Sequence, residues 1–213
     1  MNSFPARLKT EISKGLPGTE VQWELASSDR FAKDFPRIPG HDSTDAAVLI
    51  FLYPVNGIVH TLFIQRQEYK GVHGGQISFP GGKKEPDDTD LLQTALREAA
   101  EETGINPKDL HILGTLTPLF IPVSNMVVTP FVGWSEKRPS FTPEKAEVVF
   151  LIEADIRPFL DRSIIKTKPM AIRGRKIDIK YFDYEDNVIW GATAMIFNEC
   201  LTLIKRGDIS PTV

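Results

Sequence analysis

The stretch ALREAAEETGI, residues 95–105, constrains this chain more than any other, because it gathers Glu98, Glu101 and Glu102 within five positions and offers only Arg97 as balancing charge. Leu91, Leu92, Ala95, Leu96 and Ala99 supply an apolar side at helical spacing, Asp90 with Gln93 resembles a capping box, and Gly104 is placed to end the helix as its C′ residue. Side chains at i, i+3 and i+4 share a face, so the three glutamates project together over an arc of roughly 100°. Such a helix lays its apolar side on other structure and turns its acid elsewhere. A solvated face is one reading. Two features weigh against it: Glu98 and Glu102 repel at i, i+4 by about 0.2–0.5 kcal/mol, and acid in the last turn opposes the helix dipole. The other reading is a divalent cation held by the cluster. Mg²⁺ or Mn²⁺ suits carboxylate oxygens and keeps waters for chemistry, whereas zinc finds no cysteine or histidine nearby.

The loop before the helix, SFPGGKKEPDDTD, leads from a strand through a turn. Gly81 and Gly82 let the backbone approach a ligand or expose a carbonyl, and Lys83 and Lys84 are candidates to meet phosphate. Most Pro-Gly-Gly stretches are only turns; joined to three co-facial glutamates, this one becomes a candidate site for a metal-bound phosphate.

The remaining chain reads as a mixed α/β protein. AAVLIFLYP (46–54) is the continuous apolar run of a buried strand, GIVHTLFIQR (57–66) resumes it, and Asn56-Gly57 between them signals a hairpin. QISFPGG (76–82), LHILGTLTPLF (110–120), MVVTPFVGW (126–134) and AEVVFLI (146–152) read as further strands, with a short helix over 154–160 and a hairpin over 164–183 turning near Gly174. A last helix over 191–206 has Met195, Ile196, Cys200, Leu203 and Ile204 as its buried stripe. A short helix over 3–15 with Phe4, Leu8 and Ile12 on one side opens a polar extension running to residue 44, itself a candidate contact for a second copy of the chain in a homodimer. Interleaved helices and hairpin-linked strands imply a mixed sheet with helices on its faces.

With a net charge of −3 over 213 residues, nothing points to a nucleic-acid binder. A single Cys200 excludes an intramolecular disulfide and fits a reducing compartment. No secretory leader or membrane span is expected, and the expectation is a soluble cytoplasmic protein.

Gly82 followed by Arg97-Glu98-Ala99-Ala100-Glu101-Glu102-Thr103-Gly104-Ile105 resembles the Nudix box, G-x5-E-x7-R-E-U-x-E-E-x-G-U. The first half departs: Asp88 stands where the box has Glu, and eight residues rather than seven separate it from Arg97. That departure is similar to the coenzyme A pyrophosphatase subgroup, as are LFIQRQEYKGVHGGQISFPGGKKEPDD (62–88), SNMVVTPFVGW (124–134) and IWGATAMI (189–196). The resemblance implies a single Nudix hydrolase domain over residues 1–213, residues 1–44 being an N-terminal extension of helix plus loop, folded as an α/β/α sandwich around a central mixed β-sheet. It implies metal-dependent hydrolysis of a nucleoside diphosphate linked to another group: coenzyme A giving 3′,5′-ADP and 4′-phosphopantetheine, or else ADP-ribose or NADH. A nucleotide-sensing protein without turnover is the reading from another class.

The same resemblance assigns roles. Glu98, Glu101 and Glu102 are the metal ligands, with Glu98 also a candidate base and Gly81 or Gly82 offering a carbonyl. Arg97 fixes the ligand helix by pairing with carboxylates. Glu144 and Glu147 are candidates for a base or extra ligand from outside the box. His73 is a candidate phosphate contact, and Arg66, Lys70 and Lys83 are candidates for the 3′-phosphate that marks coenzyme A. Trp190 is read as a core residue before a base-stacking one.

Overall fold

The computed structural model describes residues 3–33, 35–67, 75–172 and 174–213. Its spine is β1 (Thr44–Val55), which turns at Asn56-Gly57 into β2 (Ile58–Arg66). Both turn residues have positive φ, 51° and 77°, as a two-residue hairpin loop twisting with its strands requires. Two short strands follow, β3 (Ile77–Ser78) on β2 and β4 (Gly81–Lys83) on β1. The segment read as one strand and a turn is therefore split, crossing from one neighbour to the next at Phe79-Pro80. The acidic helix is α3 (Leu91–Thr103), counted after α1 (Phe4–Ser13) and α2 (Thr19–Trp23) of the N-terminal extension. The predicted strand at 110–120 is likewise broken, into β5 (His111–Thr115) and β6 (Leu119–Ile121), with Pro118, which has no N–H to give a ladder, in the gap.

β7 (Met126–Trp134) lies parallel to β1, from Thr44 opposite Met126 to Leu52 opposite Trp134, and β8 (Val148–Asp155) lies antiparallel to β2. The main sheet thus runs β3-β2-β1-β7-β5 and is mixed. Strand β8 extends to Asp155, and only a 3₁₀ turn, Pro158–Leu160, forms where a helix was expected. Strands β9 (Ile165–Ile172), β10 (Arg175–Tyr184) and β11 (Asn187–Trp190) make a second, antiparallel sheet, and α4 (Gly191–Arg206) follows directly.

The alternation along β1 explains the layers. Ala47, Leu49, Phe51 and Tyr53 face α3 and pack with Ala95, Ala99 and Ile105. Ala46, Ile50 and Leu52 face the other way, into a larger core with Phe63, Phe79, Trp134 and the inner side of α4. A strand covered on both faces needs no polar side, hence its unbroken apolar run. The result is an α/β/α sandwich, as expected. Phe4, Leu8, Leu25 and Ala26 of the extension join the larger core, so its apolar side is turned inward. Among the described residues no helix is long and apolar enough to cross a membrane.

Candidate active site

The caps of α3 set its position. Asp90 accepts the Gln93 N–H at 2.8 Å, while the Gln93 side chain reaches back to the N–H and hydroxyl of Thr89, both 2.7 Å, one residue earlier than a regular capping box. Gly104 closes the helix at φ 75°, its N–H on the Ala100 carbonyl at 2.8 Å.

Leu91, Leu92, Ala95 and Ala99 hold the helix against the sheet, so the acids meet β4. Here glycine is required. Gly81 has φ 151°, and a Cβ on it would overlap the Ala47 carbonyl and Val48 backbone of β1; a Cβ on Gly82 would overlap the Glu98 carboxylate. The Gly81 N–H donates to Glu102 Oε2 at 2.8 Å. Glu102 is fully buried, with Arg66 Nη1 2.9 Å from its other oxygen, Oε1, in an ion pair too poorly directed to hydrogen-bond it. Arg66 also donates to the Gly81 carbonyl at 3.3 Å. Burial pushes the Glu102 carboxyl up to about 7, against the pull of Arg66 and the Gly81 N–H. The half-buried Glu98 carboxyl is also raised, again by burial, with Arg97 opposing.

Arg97 ties the loop to the helix. Its Nε and Nη2 each lie 3.0 Å from Asp88, Nη1 lies 3.0 Å from both Glu98 and Glu101, and Nη2 donates to the Lys83 carbonyl at 3.2 Å. Asp88 is filled on every side: besides Arg97 it accepts the Glu85 N–H and the Thr94 hydroxyl, both 2.9 Å. Its position in the box thus has a structural explanation, as the post that carries Arg97. These bonds hold the Asp88 carboxyl far below the usual carboxylate range, Arg97 contributing most. A group depressed in the folded state stabilises above its unfolded value of 3.8, and that contribution fades as pH falls toward the folded value. Asp88→Asn is therefore expected to melt earlier than the parent at pH 7, with the gap narrowing once the pH drops below 3.8; a gap constant with pH would overturn this.

The predicted residues fall into groups. Arg66, Gly82, Lys83, Glu98 and Glu147 line one cavity of about 540 Å³. Glu102 lies behind it, under β4. Glu101 is exposed and turned to Arg97. Glu144 is exposed, its carboxylate on the N–H of Ala146 at 3.1 Å, so Glu147 is the nearer of the two outside candidates. Lys70 and His73 lie outside the described residues. Trp190, expected in the core, instead lines the cavity with Val48, Ile121, Met126, Ile177 and Ile196. Ser27, Asp29 and Arg30 of the extension also line it and were not singled out from the sequence.

Among the described residues no group of three or more His, Cys, Asp or Glu converges on one metal position, because Arg97 and Arg66 divide the carboxylates between them. The donor set nonetheless fits a hard dication: carboxylate oxygens drawn out of water, Glu102 Oε1 buried without a hydrogen bond, and a glycine at residue 82 that leaves room beside Glu98.

A family model described as NUDIX domain matches residues 43–162, over half of the chain, and the protein belongs to that family. Chloroplastic Nudix hydrolase 22 of Arabidopsis thaliana is 35% identical over 168 residues, covering 76% of this chain. An uncharacterized Nudix hydrolase NudL of Yersinia pestis is 38% identical over 135 residues, 63% of this chain. The chain spans 55% of the plant relative's length and 67% of the bacterial one's. A crystal structure of a MutT/nudix family protein from Enterococcus faecalis superposes with a TM-score of 0.54 at 13% identity, covering 90% of this chain and 76% of the other, and so shares the fold.

Proposed function

We propose that this protein hydrolyses the diphosphate bond of coenzyme A or its derivatives, giving 3′,5′-ADP and 4′-phosphopantetheine or its acylated form, with Mg²⁺ or Mn²⁺ as cofactor. The observation that carries the hydrolytic reading is the buried Glu102 beneath Gly81 and Gly82, joined through Arg66 to a cavity that Glu98 and Glu147 also line. Acid held out of water beside a glycine strand has little use on a solvated face. The coenzyme A reading rests further on the likeness of residues 62–88, 124–134 and 189–196 to that subgroup.

Glu98 and Glu102, with Glu101 at the helix rim, would hold the metal, and a Gly81 or Gly82 carbonyl would complete the set. Bound there, the metal supplies charge neutralisation of the diphosphate and acidifies the attacking water. Glu98, half-buried and facing the cavity, takes the water's proton; Glu147, in the turn just before β8 and also lining the cavity, is the second candidate. Water oxygen bonds to one phosphorus, the bridging P–O bond breaks, and both products leave as phosphate monoesters. Arg97 does not touch the substrate in this scheme; it keeps loop and helix in register. The apolar wall of Ile121, Met126, Ile177 and Trp190 receives the part of the substrate beyond the phosphates.

Incubation with Mg²⁺ or Mn²⁺ and a panel of coenzyme A, acetyl-CoA, ADP-ribose and NADH tests this. Cleavage of the two coenzyme A species ahead of the others is expected. Faster cleavage of ADP-ribose or NADH would replace the substrate assignment, and no product from any of them would favour a nucleotide-sensing role.

A further inference from the structure

The extension contributes a charge to the cavity that the hydrolytic scheme leaves unused. Arg30 lies in a 3₁₀ turn, Ser28–Phe31, before the first residue matched by the family. It is only 7% exposed, yet it lines the same cavity as Glu98. A guanidinium carries five N–H donors. Among the described residues this one makes a single hydrogen bond, long at 3.4 Å, to the Phe120 carbonyl, and lies 5.4 Å from the centre of the Phe35 ring. No Asp or Glu among the described residues pairs with it within 4.0 Å. Asp29, its neighbour, spends one carboxylate oxygen on the Ser27 hydroxyl at 2.6 Å.

Buried arginines ordinarily meet a carboxylate, because an uncompensated charge out of water is unfavourable. Burial here pushes against the charged form of Arg30, with the field of Asp29 opposing. A protein that keeps a charge in such a place has a use for it, and the fork of a guanidinium matches phosphate oxygens. Among the described residues the alternatives for such a contact are weaker. Arg66 is committed to Glu102 and the Gly81 carbonyl, and Lys83 is exposed at the cavity's rim.

We infer that Arg30 is a specificity-determining residue, which binds a phosphomonoester of the substrate other than the diphosphate being cleaved. This rests on the hydrolytic reading of the same cavity, and it assigns the recognition of that phosphate to the extension rather than to the family's shared part. A substrate with a 3′-phosphate on its adenosine meets the description; ADP-ribose and NADH do not.

Two comparisons test it. In turnover with Mn²⁺, the wild-type protein is expected to favour coenzyme A over dephospho-coenzyme A in kcat/KM by about tenfold or more, and Arg30→Met to bring that ratio toward one, chiefly through KM. Arg30→Lys, which keeps the charge without the fork, should fall between. In calorimetry without turnover, 3′,5′-ADP should bind the wild type more tightly than 5′-AMP, and Arg30→Met should erase the difference. Equal losses on both members of each pair would make Arg30 a packing residue and overturn the inference, as would a wild type that does not discriminate. Should Arg30→Met fail to fold, as its melting curve would reveal, Arg30→Lys decides by the same ratios. Phosphate-dependent binding without hydrolysis of any substrate would uphold the anchor and refute the catalytic reading; hydrolysis indifferent to the 3′-phosphate would do the reverse.

Discussion

Glu102→Gln is expected to lower turnover by at least ~100-fold, the scale of losing a catalytic electrostatic group, while the protein still folds. Gln keeps the size of the side chain and a carbonyl oxygen for the Gly81 N–H, so β4 stays on β1. It removes the negative charge and turns an amide NH₂ toward either the Gly81 N–H or Arg66, whose Nη1 stands 2.9 Å from the carboxylate now. The local cost is that of one compromised charged contact, about 1–3 kcal/mol, against a typical domain stability of about 5–15 kcal/mol. If Glu102 serves only as the counter-ion of Arg66, turnover should follow stability and little else. If it holds a metal, Mn²⁺ titrated into the protein and followed by electron paramagnetic resonance should bind more weakly in the variant, whether or not substrate is present. Near-wild-type turnover with unchanged Mn²⁺ affinity would remove Glu102 from the site.

Much of the molecule could be read locally. The run at 46–54, the Asn56-Gly57 hairpin and the ends of α3 depend on neighbours in the chain, and all three stand where expected. What escaped depends on partners distant in sequence. Gly81–Lys83 looks like a turn because three small or polar residues carry no strand pattern; it becomes a strand through pairing with Ala46–Val48 of β1. Helix α2 has five residues, too few for a periodic signal. Asp88 looked like a substitution in a motif, and only the fold shows it gripping Arg97. Arg30 is one basic residue among 25 in the sequence, with no local mark of its burial. The site was legible as a set of residue types on one helix, but the division of the acids between two arginines was not, because Arg66 comes from a strand 31 positions before Arg97.

Glu199→Ala is expected to destabilise the fold by about 3 kcal/mol, an effect that the pattern of α4 alone would never forecast. Glu199 falls between residues of the apolar stripe and is fully buried. Its carboxyl oxygens accept four hydrogen bonds: from the N–H of Gly18 at 2.9 Å, from Gln22 Nε2 at 2.9 Å, and from the N–H and hydroxyl of Thr117 at 3.2 and 2.6 Å. Alanine strands all four donors at once, and an unpaired buried donor costs about 1–3 kcal/mol before any relaxation. Glu199→Gln should recover part of the loss, since its amide oxygen still accepts while its NH₂ confronts donors. Urea titration of the three proteins gives the order directly; an alanine variant within ~0.5 kcal/mol of the parent, the range of an ordinary surface substitution, would show that the node contributes nothing net. The partners matter as much as the size of the effect. Gly18 and Gln22 belong to the extension, Thr117 to the break between β5 and β6, and Glu199 to the last helix, so one side chain fastens three separate segments lying on the face of the sheet away from α3. The extension so fastened is the one that brings Arg30 to the cavity. Loosening it should therefore blunt the discrimination for a 3′-phosphate as well as the stability, while Glu98 and Glu102, carried by α3 and held by their own arginines, keep their places.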